Sequence, residues 1–289
     1  MNLNLIKCFI PHSAPNIPIM NKDNILYERP ELFGSKSIAI LPHKYLQYEL
    51  LNSTADYILS LVDGKRTIKS ICDIAISEYG IAYKQQIEKD ISDIFSQWWL
   101  KKIVYWKGGN VPNMACKIQK NLENGYSIKI AFDSDMKNIK NFLESQIDNS
   151  NYLTYKNSLS RNSYLTESGI RFDLFNMTSV YFLLLKEDIV CGIVIFDIPD
   201  SSSVTLVDFL VCEENLAETF LKESFSMLKT ASVVELTKVR IYLSCKNSEN
   251  YFTDLVKKIG FNKTALLKKE YRNQDLYMYD YLLQTEVTQ

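Results

Sequence analysis

The sequence predicts an α+β chain of two modules: a small one of strands followed by three helices, then a mixed, largely antiparallel sheet with flanking helices. Three observations predict it. Residues 50–105 carry three apolar runs at helical spacing, separated by turn signals. From residue 127 onward, β-rich runs alternate with amphipathic helical ones, the pattern of a layered sheet. Between them, Lys107-Gly108-Gly109-Asn110-Val111-Pro112-Asn113 joins paired glycines to a proline, a linker composition. A length of 289 residues is enough for two cores. The expected boundaries are an extended N-terminal arm over 1–35, a first module over 36–107, a linker over 108–124 and a second module over 125–286.

In the first module, the apolar runs 37–41 and 45–51 flank Pro42-His43 and suit an extended hairpin. Asn52 or Ser53 can cap a first helix whose apolar residues include Ile58, Leu61 and Val62, and Asp63-Gly64 ends it. Thr67 caps a second helix with Ile68, Ile71, Cys72 and Ala75 on its inner face, stopped by Gly80. Ile87, Ile91, Ile94, Phe95 and Trp98 stripe a third. Strands followed by three short helices make a winged-helix-like module.

The ordered set Leu51-Asn52, Ala55, Ile58-Leu59, Leu61, Asp63-Gly64, Thr67, Ile71, Tyr79, Asp90, Ile94 and Ile103 resembles the PqqD-like peptide chaperones, recognition elements for the leaders of ribosomally made, modified peptides. The resemblance implies that a leader peptide adds as a strand beside the strand ending near Leu51, against the third helix, taking affinity from main-chain hydrogen bonds. Tyr45, Tyr48, Ile87, Ile91 and Ile94 are the candidate peptide-binding residues. For each isoleucine the plain alternative is a core position. Such exposed strands also allow a homodimer when empty.

Composition excludes several classes. The net charge is -1 and charges are evenly spread, which favours neither a polyanion nor an anionic membrane. Three helices with a wing can enter a DNA groove, but Glu88, Asp90 and Asp93 against Lys84 and Lys89 on the third helix disfavour nucleic acid. The first 20 residues hold only a brief apolar run broken by Lys7 and Pro11, so neither a signal peptide nor a membrane span is expected, and the cytoplasm is the expected location. Six cysteines without any CxxC spacing, and two distant histidines, give no expected metal site.

In the second module, 114–124 looks helical and polar, 127–132 strand-like and 134–147 helical, followed by a polar stretch over 148–169 with no clear period. Strands are expected over 179–186 and 189–198, joined tightly by Glu187-Asp188, and over 204–212. An amphipathic helix over 216–232, a strand over 237–244, a helix over 249–259 and paired strands over 263–271 and 276–283 complete the order.

That order, with Lys257-Lys258-Ile259-Gly260-Phe261 and the closing strand pair, is similar to the GNAT acyltransferases over about 125–284. The resemblance implies a sheet split between the strand at 204–212 and the strand at 237–244, with acyl-CoA or an acyl carrier protein thioester entering the split. The pyrophosphate loop that the family places after Val211 needs glycines and backbone N–H groups at a helix start. Here Val211 and Cys212 lead into Glu213-Glu214-Asn215, without a glycine, and Val256 stands where the family often has an acid tyrosine. Val211, Cys212, Asn247 and Tyr251 are the candidate donor-binding residues. Asp208, a carboxylate amid Leu206, Val207, Phe209 and Leu210, is the candidate general base, since burial raises a carboxyl pKa toward useful values. Its alternative is a solvent-facing strand residue. Tyr242 and Ser244 are the remaining catalytic candidates, at the end of the next strand.

The two resemblances together imply maturation of a ribosomal peptide: the first module holds a precursor's leader and the second acylates an amine of the precursor. The alternative is a non-catalytic adaptor presenting the precursor to a separate modifying enzyme.

Overall fold

The computed structural model describes residues 10–31, 34–41, 46–109, 112, 118–146, 153–154, 166–176, 179–197, 203–232, 235–244, 251–271 and 274–283. It divides into two compact units, one within Lys7–Cys116 and the other within Lys117–Gln289.

In the first unit, β2 (Ile25–Pro30), β3 (Lys36–Ile40) and β4 (Gln47–Leu51) form an antiparallel sheet in the order 2-3-4. Three helices follow: α1 (Ser53–Ser60), α2 (Ile68–Tyr79) and α3 (Lys84–Leu100). Their starts are set by side chains that satisfy otherwise orphaned N–H groups. Asn52 Oδ1 accepts the Ala55 amide at 2.8 Å, and Thr67 Oγ1 accepts that of Ser70 at 3.1 Å. Gly80 ends α2 at φ 102°, a conformation that costs a glycine nothing. Ile58, Ile68, Ile71, Ala75, Phe95 and Trp98 are buried, and the Phe95 and Trp98 rings meet edge to face at 5.6 Å. Lys101, buried after α3, pairs with Glu49 of β4 and ties that strand to the helix end.

Part of the expected arm is regular. β1 (Pro18–Met20) pairs antiparallel with β5 (Val104–Trp106), while the Asn21 and Asn24 side-chain amides both donate to the Lys102 carbonyl. Strand β2 belongs to the same span. It pairs with nearby β3, whereas the partner of β1 is more than 80 residues away and local periodicity carries no trace of it.

The second unit is a nine-stranded mixed sheet, counted among the described residues, in the order β13-β14-β12-β11-β10-β9-β7-β6, with β8 set beside β11. The strands are β6 (Gln119–Asn121), β7 (Tyr126–Ile130), β8 (Leu153–Thr154), β9 (Ser179–Lys186), β10 (Ile189–Asp197), β11 (Val204–Cys212), β12 (Lys238–Ser244), β13 (Asn262–Tyr271) and β14 (Gln274–Leu282). The helices are α4 (Met136–Gln146), α5 (Glu167–Asn176), α6 (Glu214–Ala231) and α7 (Tyr251–Ile259).

One face of β9, β10 and β11 packs Tyr181, Leu183, Ile193, Ile195, Phe209 and Val211 against Ile139 and Leu143 of α4 and Ile170 of α5. On the other, Phe225 of α6 stacks among Phe196, Phe261 and Tyr281, with ring centres 5.7 to 5.9 Å away. With helices on both faces, β9 is buried almost throughout, which is why it reads as one apolar run. Tyr277, Tyr279 and Tyr281 alternate along β14 opposite Leu243, Ile241 and Val239, a cross-strand ladder.

Two expectations are corrected here. The span 114–124 is not a helix where it is described: Gln119–Asn121 is a strand paired with β7, because Asn124 (φ 57°) and Gly125 (φ 75°) turn the chain tightly back. The stretch 148–169 and the residues after it contain both β8 and the start of α5, whose buried apolar residues Ile170 and Phe175 make too weak a stripe to read. Glu187 and Asp188, at φ 49° and 67°, make the tight β9–β10 turn as read from the sequence.

Candidate functional site

Two places combine exposed or buried chemistry with strand edges. The first is β4. Among the described residues it pairs only with β3, so its far edge offers main-chain groups to a partner. Leu46, Tyr48 and Leu50 alternate outward there, Tyr48 57% and Leu50 68% exposed, which is unusual for side chains that ordinarily seek cover. The Tyr48 and Tyr27 hydroxyls meet at 3.5 Å across the sheet, and that hydrogen bond is the main reason the Tyr27 phenol lies above its ordinary value.

Of the residues expected to line a groove here, Tyr48 is exposed and Ile94 half-buried, while Tyr45 lies outside the described residues. Ile87 and Ile91 are corrected to core positions at 8% and 0% exposure, on the inner face of α3 with Phe95 and Trp98. Leu46 and Leu50 are the exposed apolar side chains that flank Tyr48. Their alternation with Gln47 and Glu49 was the available signal.

The second place is the split in the large sheet that the GNAT resemblance implied. Strands β11 and β12 run parallel and pair only through Val204, Thr205 and Leu206 with Lys238, Val239 and Arg240. Beyond that they diverge. A β-bulge marks the divergence: consecutive Ile195 and Phe196 of β10 face Phe209 and Val207, so Asp208 is the extra residue. A bulge bends its strand and re-aims a side chain, and Asp208 stands two residues beyond Leu206, the last residue of β11 paired with β12. Asp208 is 1% exposed, which excludes the solvent-facing alternative.

On the β12 arm, Tyr242 is half-buried and bonded to the Arg240 guanidinium. Arg240 also donates to both oxygens of buried Asp280 on β14, at 2.8 and 3.1 Å, and Lys238 lies 3.3 Å from the same carboxylate. Hydrogen bonding to Asp280 holds the guanidinium pKa above its ordinary value. Burial pushes the Asp280 carboxyl up, but Arg240 and Lys238 outweigh it and leave it below the usual carboxylate range. This cluster was missed in the sequence, although lysine and arginine at i and i+2 of one strand opposite an aspartate are its signature. The Ser244 side chain and Asn247 lie outside the described residues.

At the far end of β11, Val211 points into the α4–α5 core and Cys212 pairs with Gly192. Burial pushes the Cys212 thiol up to about 12, so it is a protonated packing group. Tyr251, the first residue of α7, donates its hydroxyl to the Glu214 carbonyl at 2.8 Å, and burial raises its pKa well above the ordinary value. Glu213 caps α6 without a side-chain bond to its amides, and Glu214 stands in the first turn. Val256 is buried and carries no proton to give. The described donor-binding candidates Val211, Cys212 and Tyr251 thus make packing and hydrogen-bonding contacts, and Glu213 and Glu214 place two carboxylates at the start of α6.

Residues 38–104 match the family model described as Coenzyme PQQ synthesis protein D (PqqD). Among solved structures, the chain is similar to a ribosomal-protein-S5-alanine acetyltransferase from Vibrio fischeri, with 11% identity, 57% of this chain and 97% of that one covered, and a TM-score of 0.46. It is also similar to a dodecameric spermidine N-acetyltransferase from Vibrio cholerae, with 15% identity, 57% and 98% covered, and a TM-score of 0.44. A third similar structure is an acetyltransferase of the GNAT family from Streptococcus pneumoniae, with 16% identity, 55% and 99% covered, and a TM-score of 0.43. No curated protein matches the sequence.

Proposed function

We propose that this protein takes part in maturing a ribosomally made peptide, holding the precursor's leader on the open edge of β4 and acting on the precursor in the split between β11 and β12. The observation that carries the reading is β4 itself: within the span matching the PqqD model, an edge strand displays Leu46, Tyr48 and Leu50 to solvent. A strand added there would gain main-chain hydrogen bonds from the edge and side-chain contacts from that apolar face. Holding the leader raises the effective concentration of the rest of the precursor, so a weak second site suffices.

The reaction in the split is N-acyl transfer to an amine of the precursor, with Asp208 as the base that takes the amine proton, Tyr242 lining the opposite arm and Ser244 at its end. The donor is an acyl thioester. Its CoA form does not fit the start of α6, where Glu213 and Glu214 oppose a diphosphate. A thioester on an acyl carrier protein avoids that contact and is the form this site favours. Among the described residues no cluster of three or more metal-ligating side chains occurs. No described helix is long and apolar enough to cross a membrane. The two acidic residues also favour a second reading, a non-catalytic adaptor that presents the precursor to a separate modifying enzyme.

Two measurements test this. Selection of a displayed peptide library on the full chain should return extended apolar sequences whose binding falls at least tenfold with Tyr48→Glu. Equal binding by the variant would place peptide recognition elsewhere. Calorimetric titration should show no saturable binding of acetyl-CoA, while a single-turnover assay with an acyl carrier protein thioester should show transfer that Asp208→Asn abolishes. Transfer that is absent, or unchanged in the variant, leaves the adaptor.

A further inference from the structure

Folded proteins blunt the open edges of their sheets with prolines, lysines, bulges or very short strands. Among the described residues, every outer sheet edge of this protein except one carries such a device. β2 ends in Pro30, bears Glu28 and Arg29, and slips register after Ile25. β13 carries Lys263, Lys268 and Lys269, slips register twice, and holds Lys269 at φ 52°. β1, β5 and β6 are three residues long. The exception is β4. It holds no proline or lysine, its register with β3 is unbroken, and its single charge, Glu49, is bonded to Lys101.

The residues of this edge also complement themselves. Two copies of one strand pair antiparallel about a two-fold axis, and residues directly opposite each other share a face. An axis at Glu49 would set two carboxylates directly opposite, which destabilises a strand pair. An axis at Tyr48 sets Leu46 against Leu50 and Gln47 against Glu49, with the two tyrosines together at the centre. Apolar side chains then meet apolar ones on the exposed face, and an amide meets each carboxylate on the other. We infer that β4 pairs with β4 of a second copy about Tyr48, so that the empty protein forms a two-fold dimer, and that a leader peptide splits the dimer because it needs the same edge. The competition, though not the dimer, rests on the leader-binding reading. Five residues a side make a small interface, so the dimer is weak and reversible. Its effect is to cover the apolar edge while no peptide is present and to make apparent leader affinity fall as protein concentration rises.

The test is sedimentation of the full chain from about 1 to about 200 μM, the range in which weak association shows. The wild type should pass from monomer to dimer. Leu46→Lys and Leu50→Glu, both at exposed positions where the fold tolerates them, should each weaken dimerisation at least tenfold by setting a charge against a leucine. The double variant should dimerise more tightly than either single one, since the register brings each new ammonium beside a new carboxylate of the other copy. Within one strand the two positions are about 13 Å apart and cannot pair. A peptide returned by the library selection should convert the dimer to a complex of one chain with one peptide. A monomer throughout, or a dimer that neither substitution weakens, overturns the inference. A double variant weaker than both single ones overturns the register, and a dimer that binds the peptide intact overturns the competition. The leader reading fails separately: a protein that binds no peptide would keep the dimer and its pattern of variants, with the second copy as the occupant of the edge.

Discussion

Two strand edges in this protein are handled in opposite ways. The outer edge of β4 has no described strand beside it and is flanked by exposed Leu46, Tyr48 and Leu50. The inner edge of β11 is shared between β12 and the short β8. An open edge bordered by apolar side chains is a template for pairing with an extended chain. A covered edge is not. The contrast fits the proposed division, with capture in the first unit and chemistry in the second.

The largest effect that can break this comparison comes from below the split. Phe225 of α6 is 3% exposed amid Phe196, Phe261 and Tyr281, and its ring supports the face of the sheet opposite α4 and α5. Phe225→Ala should destabilise the second unit by about 3–5 kcal/mol through lost contacts and the cavity left behind. Thiol labelling in rising denaturant reads this, because burial pushes Cys191 up to about 11 and Cys212 up to about 12 and keeps both unreactive while folded. Trp98, Trp99 and Trp106 all lie in the first unit, so tryptophan fluorescence reads the unit that carries the open edge. An unmoved labelling midpoint would show that the α6 layer does not hold the sheet.

Gly192→Ala attacks the anchored side of β11. A Cβ at Gly192 would stand 2.8 Å from Cys212 Cβ, 3.2 Å from Leu184 Cβ and 3.3 Å from a Phe220 ring carbon, so α6 or the strands must shift. The expected cost is about 1–3 kcal/mol from overpacking, read by the same labelling. If β11 is positioned by β10 rather than by β12, the variant should also speed deuterium exchange at residues 207–211. Normal exchange there would mean that β12 and β8 suffice to hold the arm.

The same contrast explains what the sequence did and did not disclose. Local signals found the helices of the first unit, since caps such as Asn52 and Thr67 and stops such as Gly80 act within a few residues. They found the β9–β10 hairpin and the apolar strands for the same reason. Asp208 stood out because a carboxylate in an apolar run is conspicuous, and the structure buries it. Long-range pairings stayed hidden: β1 with β5, β8 with β11, and Arg240 with Asp280 join segments 40 to 90 residues apart with no periodic trace. The α3 isoleucines misled because a helical stripe reports burial without saying whether core or partner supplies it. At β4 the order of the residues decided, with Leu51 turned inward and Leu50 outward.

A smaller prediction sharpens the open-edge side. Asn52 directly follows β4 and caps α1 through its bond to the Ala55 amide. Asn52→Ala should cost about 1 kcal/mol, visible in the tryptophan fluorescence midpoint, and should weaken peptide capture only slightly if the edge is set mainly by β3. A loss of capture as large as that of Tyr48→Glu would show that the helix start shapes the edge.

The smallest effect concerns the β12 arm and pH. Asp280 is held below the usual carboxylate range by Arg240 and Lys238 despite the opposing effect of burial. A carboxyl depressed in the folded state adds stability that is complete above its unfolded pKa of about 3.9 and is lost as pH falls through the lower folded value. Stability of the second unit should therefore fall on acidification below about pH 5, part of that fall belonging to Asp280. Urea unfolding followed by circular dichroism, compared between wild type and Asp280→Asn, isolates that part: the two should differ most at neutral pH and converge in acid. A difference that stays constant down to pH 2 would mean that Asp280 contributes packing rather than charge. The arm of the split opposite β11 would then be held by the tyrosine ladder of β14 alone, and acid would leave it as firmly held as it is at pH 7.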